Sequence, residues 1–278
     1  MSTRWMAMTM GALVAVIASL GPAEAGRVYI TGHDPDFHAQ SQASGQKQLN
    51  VGLEFVTNGS YNDGLQKFLW VESRLAPPSG FLTGENGLTA IGLTLGLHYD
   101  RANGADLATV NLSQYSAIAV ASSFGGMLTK DEINALIARK ADIAAFVNAG
   151  GGILALAECF PQSGHCLANN VDASTDLFGF LPVDVTSVTT TAPYFVTAFG
   201  ASLGLTDGDV SDCCTHNSFG DPAGLTIVDT DLNGVPTTLA GNVLIADDGF
   251  IPAVPAPAAL ALLGLGVLGV GLLKRRAR

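Results

Sequence analysis

Residues 116–159 restrict the fold more than any other part of the chain. Ser116-Ala-Ile-Ala-Val-Ala-Ser-Ser is a short apolar run that closes on small polar residues. Lys130 to Asn148 then repeats Ile133, Leu136, Ile137, Ile143, Phe146 and Val147 at helical spacing. The glycines after Ala149 stop that helix, because glycine alone enters the left-handed turn of a helix end without steric cost, and Ile153-Leu-Ala-Leu opens a second buried run. Two apolar strands joined by a helix that can cross the sheet lie parallel, and a parallel sheet is covered on both faces. The expected class is therefore α/β, with helices on both faces of a parallel sheet and β-hairpins added to it.

The apolar content of 48% is ample for a core, although Met6–Leu20 and Ala258–Leu273 inflate it. Arg4, Lys274, Arg275, Arg276 and Arg278 hold five of the 13 bases and Glu24 one of the 24 acids. Eight bases against 23 acids remain between the ends, a formal charge of −15. A body of that sign repels phosphate backbones and anionic headgroups, which excludes nucleic acid as a partner.

Residues 1–25 carry one base, Arg4, then the apolar run, a helix-breaking Gly21-Pro22 and the small-residue pattern Ala23-Glu24-Ala25. This is the layout of a secretory signal cut before Gly26, the run being short for a membrane span. An uncleaved anchor is the alternative. Residues 26–250 form the exported body and 251–278 a separate C-terminal segment.

Arg27-Val-Tyr-Ile-Thr31 reads as a first strand running into Gly32-His-Asp-Pro-Asp-Phe-His38. Functional groups gather at the carboxyl ends of parallel strands, so His33, Asp34, Asp36 and His38 stand where a ligand would sit. Two imidazoles and two carboxylates in six residues suit a divalent metal such as zinc, or acid/base chemistry. The plainer reading is a polar turn in which Asp34 caps a helix opened by Pro35. A helix is expected over 42–57, ended by Asn58-Gly59, a strand over 67–71, and a long Gly/Pro-rich loop over 76–106, whose His98-Tyr-Asp100 could reach the cleft.

Cys159 and Cys166 flank a Pro/Gly turn and, in an exported chain, either bond each other or pair with Cys213 or Cys214; adjacent cysteines bond one another only with strain. Residues 183–205, rich in Thr, Val and Phe, suggest extended strands. His216 and Asn217 follow in a stretch dense in donors and acceptors. Asp229-Thr-Asp-Leu-Asn-Gly234 imitates the start of a calcium loop, but its twelfth position is Ala240, and Asn233-Gly234 between apolar runs specifies a hairpin instead.

Phe146-Val-Asn-Ala-Gly-Gly-Gly-Ile-Leu-Ala-Leu-Ala-Glu158, entered from Ala117-Ile-Ala-Val-Ala-Ser122, resembles the core of the class I glutamine amidotransferase-like, flavodoxin-like fold. Gly32 to His38 resembles the first strand and loop of its trehalose-utilisation-protein-like branch. The resemblance spans Arg27 to Glu158. It implies a nucleophilic cysteine after the glycine-led strand, where helix amides would stabilise a thiolate, but the matching position holds Ala157. Cys159, two residues on, has no sequence-local activating pair and reads as structural. Glu158, with His33 or His216, is left as the candidate general base or ligand, or Glu158 caps the next helix.

The C-terminal segment joins Pro255-Ala256-Pro257, the apolar Ala258–Leu273, about 24 Å long as a helix, and Lys274-Arg275-Arg276. It resembles the PEP-CTERM sorting signal of Gram-negative bacteria, with Ala256 where the motif carries Glu. That resemblance implies a transmembrane helix, an exosortase-type sorting protease as partner, and a destination at the cell surface or matrix. An ordinary anchor is the alternative; both put the acidic body outside the inner membrane. The expected function is binding, of extracellular polysaccharide for example, or envelope structure. The alternative is an extracytoplasmic hydrolase or metal-assisted enzyme built on the His/Asp/Glu cleft.

Overall fold

A computed structural model describes residues 25–72, 84–122, 128–156, 177–211, 215–246 and 249–252. The strands of the main sheet are β1 (Gly26–Thr31), β2 (Phe68–Val71), β3 (Tyr99–Ala102), β4 (Ala117–Val120) and β5 (Gly152–Ala155). These five run parallel in the order β3-β2-β4-β5-β1. Three later strands extend the sheet beyond β1, all antiparallel to their neighbours: β10 (Pro236–Ala246), β9 (Thr226–Thr230) and β7 (Phe195–Val196). β11 (Gly249–Pro252) also pairs with β10, while β6 (Ser187–Val188) and β8 (Ser218–Phe219) make a separate ribbon.

β2, β4 and β5 are apolar at every position because both faces of the sheet are covered there. Val28, Ile30, Leu69, Val71, Ile118, Val120 and Ile153 pack on one face with Ile133 and Leu136 of α5 (Lys130–Ala138) and Ile143, Phe146 and Val147 of α6 (Lys140–Asn148). Tyr29, Phe68, Trp70, Ala119 and Leu154 pack on the other with Leu49, Leu53 and Val56 of α2 (Ala43–Thr57) and Leu88 of α3 (Gly84–Ala90). The connections β1 to β2 and β2 to β3 run toward the β3 edge along the α2/α3 face. The connections β3 to β4, through α4 (Gly104–Leu107), and β4 to β5 run the other way along the opposite face. Opposite directions on opposite faces are what right-handed crossovers require.

The reversal leaves a crevice between the carboxyl ends of β2 and β4, the topological switch point at which open α/β sheets bind ligands. α1 (Pro35–His38), one turn after β1, leans toward it. A side chain at Gly87 of α3 would collide with the Asp36 carbonyl, so the two helices approach backbone to backbone there.

Several expectations are corrected. The single helix over 130–148 is two, divided at Arg139, whose φ of −100° and ψ of 12° leave the helical range. The 76–106 stretch, where described, holds α3, β3 and α4 rather than a loop, and His98 spends its Nδ1 on the Thr94 amide at 2.9 Å. The 183–205 stretch contains β6 and β7 but also a helical turn, α7 (Ala198–Ser202), which precedes α8 (Asp207–Ser211). The helix ended by Asn58 (φ 56°) and the hairpin through Asn233-Gly234 are as expected. Among the described residues no helix is long and apolar enough to cross a membrane; residues 258–273 lie outside them.

Candidate functional site

The loop that leaves β1 places its four polar residues in three separate environments. His33, 1% exposed, has Nε2 3.1 Å from Asp229 Oδ1 and Nδ1 2.6 Å from Thr215 Oγ1. A neutral imidazole that donates from Nε2 to the carboxylate and accepts from the threonine hydroxyl satisfies both contacts. Asp229 Oδ1 also accepts from the Thr237 hydroxyl, and the edge of Tyr194 meets the His33 ring at 5.5 Å. Hydroxyl, imidazole and carboxylate thus form a continuous chain joining β1, the Thr215 segment, β9 and β10.

Asp34 is equally buried, and its side chain does not cap α1. Oδ1 lies 3.4 Å from His38 Nε2 and Oδ2 lies 3.1 Å from His216 Nε2, the two imidazoles being 12% and 19% exposed. His216 is held there by its backbone, which donates to the Gly32 carbonyl at 2.8 Å. Gly32 permits this approach, since a Cβ there would collide with the Asn217 carbonyl. The plainer sequence reading keeps Pro35 as the helix opener and loses Asp34 as the cap.

Asp36 turns into the switch-point crevice, where Oδ2 accepts from the Ser122 amide at 2.9 Å. Glu72, immediately after β2, accepts from Trp70 Nε1 at 2.5 Å and from the Glu85 amide at 2.7 Å. Burial raises the Asp36 carboxyl to about 7 against the hydrogen bonds of Ser122, with the charge of Asp34 adding to the rise. Burial likewise raises Glu72 to about 7 against its hydrogen bonds from Trp70 and Glu85, and the charges of Asp36 and Glu85 add to it. Burial is the main cause of both shifts, so each carboxyl favours its protonated form further toward neutrality than an exposed carboxyl does. Asp36 Oδ1 and Glu72 Oε1 are buried with no hydrogen-bond partner among the described residues, as are both amide atoms of Asn217.

Of the residues singled out in the sequence, the structure joins Asp34, His38 and His216, places Asp36 and Asn217 nearby, and commits His33 to a different carboxylate. The metal site expected from His33, Asp34, Asp36 and His38, with His216 and Asn217 as further candidates, does not assemble: no group of three His, Cys, Asp or Glu among the described residues is arranged to hold a metal ion. Ala157, Glu158, Cys159, Cys166, Cys213, Cys214, Pro255, Ala256, Pro257, Lys274, Arg275 and Arg276 lie outside the described residues. Glu72, Ser122, Asp229 and Thr215 are the members that sequence reasoning missed. Glu72 was findable, because it follows the apolar Phe68–Val71 strand at its carboxyl end; Asp229 is 196 residues from His33 and gave no signal.

A cavity of about 700 Å³ opens at the opposite end of the sheet, beside the amino ends of β1, β4 and β5. The switch point is preferred as the candidate site because the two carboxyls raised to near neutrality, Asp36 and Glu72, lie at the carboxyl ends of the strands. No family model, curated protein or solved structure matches the chain.

Proposed function

We propose that this is an exported, surface- or matrix-associated protein of a Gram-negative bacterium. A PEP-CTERM-type tail read by an exosortase-type protease delivers it, and its class I glutamine amidotransferase-like body binds a polyhydroxylated ligand, such as extracellular polysaccharide, without turnover. The flavodoxin-like part of this reading is supported by strand order: β3-β2-β4-β5-β1 becomes the doubly wound order 2-1-3-4-5 when β1 is counted last.

The observation that carries binding is the set of unpartnered atoms at the switch point. Asp36 Oδ1 and Glu72 Oε1 are buried there and unspent among the described residues, and the Asn217 amide is likewise unspent beside Gly32 at the end of β1. Carboxylate and amide groups of this kind accept from and donate to sugar hydroxyls, and a buried polar atom without a partner costs about 1–3 kcal/mol until one arrives. Ala157, standing where the related enzymes carry their nucleophile, removes the amidotransferase reaction.

One arrangement favours the hydrolytic alternative. Thr215, His33 and Asp229 reproduce the order of a hydroxyl nucleophile, its base and the base's orienting carboxylate. A single experiment separates the two. Whole protein purified in mild detergent is mixed with exopolysaccharide from the producing cell, and both retention and release of new reducing or acyl ends are followed. Binding is expected with no product, and E72Q, which keeps the shape of the side chain, is expected to weaken it. Product formation that T215V abolishes would replace binding by hydrolysis.

A further inference from the structure

The amino-end cavity differs from the switch point in charge and in hydrogen-bonding character. Its charged lining is Arg27, Arg139 and Asp142, one net positive charge within a strongly acidic body. Arg139 is already occupied: Nε donates to Asp142 Oδ2 at 3.0 Å, and Nη1 to the carbonyls of Leu107 and Val110 at 3.1 and 2.8 Å. The side chain of Arg27, half-buried at the start of β1, makes no hydrogen bond or ion pair with any described residue, and neither do the side chains of Asn58 and Gln66 at the rim. Asn111 accepts through Oδ1 from the Ser113 amide and hydroxyl at 3.2 and 2.9 Å, which leaves its NH₂ to face other partners.

Two helices end at this cavity, and their carbonyls could have set its sign. They are satisfied within the chain. Gly59 donates to the Glu54 carbonyl at 2.9 Å, Gly150 to Val147 at 2.9 Å and Gly151 to Phe146 at 3.0 Å. What remains unspent is one guanidinium, a ring of amide groups and the second oxygen of the Asp142 carboxylate, an inventory still weighted toward donors. Its complement is a ligand rich in acceptors: hydroxyls for the amides, and a planar or tetrahedral anion for the fork of Arg27. The volume of about 700 Å³ is that of a small-ligand site.

The geometry points to a second binding site here, distinct from the switch point, for a polyhydroxylated anion, a sugar bearing a carboxylate or phosphate, held by Arg27. Calorimetric titration of the whole detergent-purified protein with trigalacturonate, glucose 6-phosphate and maltotriose tests it. One or both anionic ligands should bind, the stronger of the two identifying the anion, with the neutral maltotriose at least about tenfold weaker. R27M should weaken anion binding about tenfold, and Q66E, an exposed substitution that leaves folding intact, about threefold by placing a carboxylate at the rim. Binding should also weaken as salt is raised. Equal affinity for maltotriose, anion binding that neither variant moves, loss of binding in E72Q instead, or no binding of either anion overturns the assignment.

Discussion

Asp36 and Glu72 are the two residues whose chemistry depends most on where the fold puts them. Each would ionise well below neutrality on the surface; buried at the carboxyl ends of the parallel strands, both are raised to about 7. The sign of the consequence follows from proton linkage. Between about pH 4 and about pH 7 the folded chain keeps protons that the unfolded chain has released, so the stability these groups contribute is greatest in acid and is lost as pH rises. E72Q should therefore stabilise the protein relative to wild type by on the order of 1–2 kcal/mol more at pH 8 than at pH 5, measured by urea denaturation at both values. An equal effect at the two pH values would mean that the carboxyls titrate normally. The loop His33–His38 was visible in sequence because strand ends collect functional groups. Its division among three sets of partners was not, because Asp229, His216 and Ser122 reach it from distant parts of the chain.

At the scale of elements, the parallel strands and the helices α2, α5 and α6 follow from apolar periodicity, and the main departure, the break at Arg139, coincides with a long-range contact. Nothing in the spacing of Ile133, Leu136, Ile137, Ile143, Phe146 and Val147 marks a boundary, and α5 opens with a full capping box between Thr129 and Glu132. The helix divides where the Arg139 guanidinium is drawn to the carbonyls of Leu107, at the end of α4, and Val110, just beyond it. R139A should leave those carbonyls without their charged donor and cost about 1–3 kcal/mol in urea denaturation, whereas D142A, which removes only an exposed acceptor, should cost under about 1 kcal/mol. β3 escaped prediction for a related reason. Tyr-Asp-Arg-Ala is a poor strand sequence, acceptable at a sheet edge where β2 supplies the pairing and Glu85 receives both Tyr99 and Arg101.

For the whole molecule, the proposed export makes a prediction that does not depend on any ligand. Mature protein recovered from membranes should begin at Gly26 and should resist thiol alkylation until reduced. Truncation before Pro255 should move it from the membrane fraction to the soluble exported fraction. A precursor found in the cytoplasm with residues 1–25 intact and free thiols would remove export, and the sorting tail with it. The amino-acid sequence by itself determined the α/β class, the stops at Asn58 and Asn233-Gly234, and the polar loop after β1. Each of these depends on residues within one helix, strand or turn, where periodicity and backbone preference act. Only the tertiary structure decided the strand order, the burial of Asp36 and Glu72, the capture of His33 by Asp229, and the unpartnered guanidinium of Arg27 at the far end. Those outcomes depend on which distant segments share a space and on how little water reaches them, and burial and long-range contact leave no trace in local spacing.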